Sequence, residues 1–89
     1  MGELEKLPNI GKELERQLNE AGIFTRTDLE KYGSRNAWLK IQEFDSSACI
    51  HRLLALEGAL QGMKKTLLPP EIKADLKEFY TRNKIKDTP

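Results

Sequence analysis

The side chains able to do chemistry are few, and their spacing serves it poorly. Cys49 and His51 supply the only thiol and the only imidazole. Residues two apart on a helix point in different directions, so these two cannot form a thiolate and imidazole pair. Cys49 is expected to pack as a small apolar side chain, and His51 to lie on a helix surface or edge. Glu13, Glu15 and Glu20 alternate with Lys12 and Arg16, which is the pattern of a solvated helix face rather than of an acid and base dyad. The glycines are scattered and follow no strand, so neither a Walker loop nor a dinucleotide fingerprint is present. No catalytic, cofactor or metal residue is assigned, and the expected work is binding without catalysis.

Binding chemistry has a better candidate in Leu7-Pro8-Asn9-Ile10-Gly11-Lys12. There a turn opens directly into a helix N-terminus, whose unpaired backbone amides and dipole can receive an anion such as a DNA phosphate. Gly11 lets a phosphate approach the backbone and Lys12 adds a charge, so Asn9, Ile10, Gly11 and Lys12 are the first candidate contacts. The alternative is that the turn serves only to pack helices. Lys64 and Lys65, followed by Thr66, form the one compact basic spot outside the turn and the tail. They are a second candidate contact, or simply a complement to a helix dipole.

The elements that would position these residues are all helical. After Gly11, Leu14, Leu18 and Ala21 recur at helical spacing; Gly22 can close that helix and Ile23 can fold back on its last turn. Thr25 and Asp28 form a T-x-x-D start for a short helix from Arg26 to Tyr32. Gly33 ends it, and Ser34 caps another whose Ala37, Trp38, Ile41 and Phe44 form an apolar stripe, with Trp38 at the centre of the core. Asp45 and Ser46 signal a further start, and Cys49, Ile50, Leu53, Leu54, Leu56 and Leu60 describe a central helix, expected to be the longest and most buried. Gly58 and Gly62 weaken that helix by up to about 1 kcal/mol each unless another backbone packs closely there. Alternatively, with Glu57 and Gln61 they form a docking surface. Pro69-Pro70 presets a last helix carrying Ile72, Leu76, Phe79 and Tyr80, with Lys77, Arg82 and Lys84 complementing its negative end. No alternating β-branched run is present, so no sheet is expected.

At 89 residues the chain is one domain, and 38% hydrophobic content spread along its length supports a packed core. The domain is expected over 1–84, with a polar, disordered tail at 85–89. A single cysteine and a charged start point to the cytoplasm. No segment approaches the roughly 20 apolar residues of a membrane span, so no membrane partner is expected. Fifteen basic residues against fourteen acidic ones give a net charge of +1, so DNA affinity must come from a local patch rather than from the whole-molecule field.

The stretch from Leu7 to Ile23 resembles the second half of a helix-hairpin-helix motif, with Asn9 where the motif usually has its first glycine. A wider set of residues runs from about Leu4 to Tyr80. Leu7-Pro8-Asn9-Ile10-Gly11, Ala21-Gly22-Ile23, Ala37-Trp38-Leu39, Arg52-Leu53, Ala55-Leu56-Glu57-Gly58-Ala59, Gln61-Gly62, Leu68-Pro69-Pro70, Lys73 and Leu76-Lys77 resemble the C-terminal domain of TfoX (Sxy) proteins, regulators of natural DNA competence in bacteria. The resemblance implies an all-α, compact bundle of about five helices with a helix-hairpin-helix-like beginning and no catalytic residues. It leaves the chain as either a free-standing version or an excised piece of a longer, two-domain protein. Partners then fall into two classes: DNA backbone bound weakly and without sequence preference, or a regulatory protein, including one resembling the N-terminal domain. A homodimer would pair two weak sites. If a protein is the partner, an exposed apolar patch including Phe24, Ile50 or Leu54 is expected.

Overall fold

The computed structural model describes residues 3–84. Among them are four α-helices and two single turns of 3-10 helix, with no strand. Helix α1 spans Lys12–Glu20, α2 spans Arg26–Phe44, α3 spans Ile50–Gln61 and α4 spans Pro70–Asn83. The 3-10 turns lie at Leu4–Lys6 and Lys65–Leu67. The expected tail at 85–89 lies outside the described residues.

Local signals set most of the boundaries. Helix α1 ends where the amide of Ile23 donates to the carbonyl of Leu18 at 2.8 Å and that of Gly22 to Asn19 at 3.0 Å, with Ile23 folded into the core. Thr25 and Asp28 form a reciprocal capping box at the start of α2: the Thr25 hydroxyl accepts from the Asp28 amide at 3.0 Å, and the Asp28 carboxylate accepts from the Thr25 amide at 3.2 Å. Helices stand before and after Gly33 as expected, but they run together as one span, kinked where Gly33 takes the non-helical φ 78° and ψ 160°. This makes four helices rather than about five. Ser34 is buried, and its hydroxyl donates to Glu57 Oε1 at 2.6 Å, tying the kink of α2 to α3.

Two further expectations are corrected. At 12 residues α3 is shorter than the 19 of α2 and the 14 of α4. It also begins at Ile50 rather than after Asp45 and Ser46: the chain first makes a separate turn, in which the Ala48 amide donates to the Asp45 carbonyl at 3.0 Å, and the Asp45 carboxylate is shared between that turn and two helices. It accepts from the Ser47 hydroxyl and from the Ser47 amide at 3.0 Å, from Arg52 at 2.7 Å and from Gln17 at 2.7 Å. Asp45 therefore joins α1, the end of α2 and α3 around one carboxylate. Phe44 is 46% exposed and leaves the apolar stripe, while Gln42 is buried and donates from Nε2 to the Asn83 carbonyl at the end of α4.

The core is continuous and includes Leu4, Ile10, Leu18, Ile23, Leu29, Ile41, Leu53, Leu56 and Leu76. Trp38 is its largest fully buried side chain. Its ring meets Tyr80 edge-on at 5.5 Å and Phe79 at 6.2 Å, and its Nε1 donates to the Cys49 carbonyl at 3.2 Å. That bond satisfies the indole polar atom while the aromatic faces stay dry. Helix α3 is central, packing on both α2 and α4.

Candidate nucleic-acid interface

Asn9 organises the N-terminal turn. It has φ 69°, the left-handed conformation that Asn tolerates better than most non-glycine residues. This carries its side chain inward. Nδ2 donates to the Met63 carbonyl at 3.0 Å and the Ala55 carbonyl at 3.4 Å, and Oδ1 accepts from the Lys65 amide at 3.0 Å. Both ends of the amide are thereby used against the middle of α3 and the strap that follows it. Gly58 makes room: a methyl group there would collide with Asn9 Nδ2 and stand 2.8 Å from the Met63 carbonyl oxygen. Gly62 serves differently, as the left-handed cap of α3 (φ 75°, ψ 28°) with open space about it.

The consequence is that two distant segments are joined at one point. By gripping the Lys65 amide, Asn9 fixes the Lys64-Lys65 pair beside the turn that leads through Gly11 into α1. Gly11 and Lys12 are exposed, as is Lys64, while Lys65 is half-buried. Ile10 is a core residue at 5% exposure, and its amide donates to the Leu7 carbonyl at 3.3 Å, so it anchors the turn. Gly11 is the N-cap of α1 and makes no side-chain cap bond. The amides of the first turn, beginning with Lys12 and Glu13, have no carbonyl within the helix to pair with.

Of the two acidic residues in the first turn, Glu15 is engaged in the fold and Glu13 is paired on the surface. Glu15 was expected on a solvated face but is 5% exposed, its Oε2 accepting from the Leu4 amide at 3.1 Å and the Glu5 amide at 3.3 Å. It thus secures the 3-10 turn against α1. Glu13 and Glu20 are solvated as expected, both paired with Arg16. The bond from Arg16 holds the Glu13 carboxyl below its usual range. A single 3-10 turn, not an α-helix, precedes the turn at Asn9 among the described residues.

Elsewhere His51 is exposed and Cys49 half-buried. Among the described residues, no three His, Cys, Asp or Glu side chains gather as metal ligands. No helix there is long and apolar enough to cross a membrane.

Comparison with known proteins decides the relationship. The family model of the TfoX C-terminal domain matches residues 1–80. The chain belongs to the TfoX C-terminal domain family. The Sxy protein of Escherichia coli strain K12 is 33% identical over 76 residues, covering 85% of this chain and 36% of that protein. The TfoX C-terminal domain chain thus spans about a third of the length of that relative. Two crystal structures share its fold closely. An uncharacterised protein from Listeria monocytogenes in a triclinic form superposes with a TM-score of 0.88 at 48% identity, over 89% of this chain and 90% of that one. A protein of unknown function from the same organism, in a tetragonal form, gives 0.86 at 47% identity, over 88% and 96%. Asn9 as the strut between the turn and Lys64-Lys65 was not visible in sequence, since its three partners lie 46 to 56 residues away.

Proposed function

We propose that this TfoX C-terminal domain is a non-catalytic, competence-regulator-like module that contacts DNA backbone. It works as the second half of a helix-hairpin-helix. One phosphate is received by the first-turn amides of α1 with Lys12, and a neighbouring phosphate is met by Lys64 and Lys65. The observation that carries this reading is the bond from the Lys65 amide to Asn9 Oδ1 at 3.0 Å, which supports a continuous basic face out of segments more than 50 residues apart. Asn9 and Ile10 contribute by position, the first as strut and the second as anchor, while Gly11 leaves the approach open.

Phosphate contacts fix position without reading bases, so binding is independent of sequence. With a net charge of +1 and few contacts, one copy binds weakly, and two copies on one duplex gain through effective concentration. The test is fluorescence anisotropy with a short mixed-sequence duplex across a salt series. Affinity is expected to fall steeply as salt rises, and the logarithmic slope to lose roughly one unit for each of Lys12, Lys64 and Lys65 replaced by Ala. A flat salt response, or a slope indifferent to these substitutions, contradicts the reading.

A further inference from the structure

A second surface lies between α3 and α4. Ile50 and Leu54 from α3 and Tyr80 from α4 line a groove of about 450 Å³, and Lys73, Lys77 and Lys84 stand along it; no acidic side chain is among the lining residues. The comparable hollow along α2 sets Glu43 against Lys31 and Lys40 and has no such bias.

The lysine edge follows from charge segregation on α4. At 3.6 residues per turn, Lys73 and Lys77 fall within about 40° of one another around the helix axis, while Glu71, Asp75 and Glu78 fall roughly 150° away; Lys84 follows as the extended C-cap of the helix. The ordinary account of basic residues in a helix, compensation of the dipole, applies to the last turn and leaves Lys73 at the fourth position of α4 unexplained. Two of the lysines are held in place: Lys73 Nζ donates to the Thr66 carbonyl at 2.9 Å, and Lys84 Nζ lies 5.6 Å from the centre of the Tyr80 ring. Lys77 is exposed.

We propose that this groove docks an acidic amphipathic helix of a partner protein. The half-buried apolar floor suits the hydrophobic stripe of a helix laid between two others, and carboxylates flanking that stripe meet the lysines. From Lys73 to Lys84 the edge extends about 16 Å, three helical turns. A duplex would meet lysines here as well, but the floor of Ile50, Leu54 and Tyr80 offers its phosphates nothing. The surface is separate from the turn at Asn9 to Lys12, so each can fail without the other.

The test uses two synthetic helical peptides of about 16 residues, one with a leucine stripe flanked by glutamates and one with lysines in place of the glutamates. Amide and side-chain shifts of the labelled protein report the site, with a short duplex as the third titrant. The acidic peptide is expected to shift Ile50, Leu54 and Tyr80. The exposed double substitution Lys77→Glu and Lys84→Glu is expected to weaken it about tenfold or more and to favour the basic peptide instead, with the near-ultraviolet signal of Trp38 unchanged. Equal affinity for both peptides, absence of shifts at the three floor residues, or a duplex that perturbs them more than the acidic peptide overturns the proposal.

Discussion

Asn9 and Gly58 meet face to face: the side-chain amide of Asn9 occupies the space that any side chain at position 58 would fill. The contact joins the N-terminal turn to the far end of α3, and the left-handed backbone of Asn9 (φ 69°) aims the amide there. The same side chain holds the Lys65 amide, so one residue sets the turn, the end of α3 and the lysine strap in mutual register.

Gly58→Ala tests the fit. On an exposed helical surface this change would stabilise by about 1 kcal/mol. Here the new methyl group meets the Met63 carbonyl oxygen at 2.8 Å and the Lys65 nitrogen at 3.2 Å, both backbone atoms that yield poorly. Overpacking of this kind costs about 1–3 kcal/mol, so urea denaturation should show a net loss of stability. A gain would mean that the strap moves aside freely.

Substitution of Asn9 separates side chain from backbone. Asn9→Ala removes bonds to Ala55, Met63 and Lys65 and places a non-glycine, non-Asn residue at positive φ, with an expected loss of about 2–4 kcal/mol. Asn9→Gly loses the same bonds while keeping the conformation, and should be milder by about 1 kcal/mol. Equal losses in the two variants would show that the left-handed backbone carries no strain.

Asp45 gives the fold an acid limit. Hydrogen bonds from Ser47, Arg52 and Gln17 hold its carboxyl far below the ordinary range. A carboxyl whose folded pKa is depressed stabilises fully above its unfolded pKa, near 4, and loses that contribution as pH falls towards the folded value. Denaturant midpoints should therefore decline below about pH 4, and Asp45→Asn should flatten the decline while lowering stability at neutral pH. A variant that declines as steeply as the parent would assign the acid limit to other carboxylates.

The devices legible in the sequence are those in which cause and effect lie within a few residues. Gly22 with Ile23, Thr25 with Asp28, the break at Gly33 and Pro70 at the start of α4 all act locally and stand where the spacing places them. Trp38 was readable as the core centre because its stripe is long. Asp45 reads locally as a helix start, whereas its partners Gln17 and Arg52 come from other helices, and Glu15 reads as solvated because its partners Leu4 and Glu5 lie 11 and 10 residues before it. Gly58 announced a close approach without saying that Asn9 makes it. Within the candidate interface, the residues were legible and their adjacency was not.

The measurement closest to the central claim is an amide chemical-shift titration of the labelled protein with a short mixed-sequence duplex at low salt, repeated at high salt. The account predicts salt-sensitive shifts at Gly11, Lys12, Lys64 and Lys65 together, with the Asn9 side-chain amide unmoved and the two segments uncoupled in Asn9→Gly. Shifts that are absent from both segments, or that persist unchanged at high salt, would contradict it and leave the turn as scaffold.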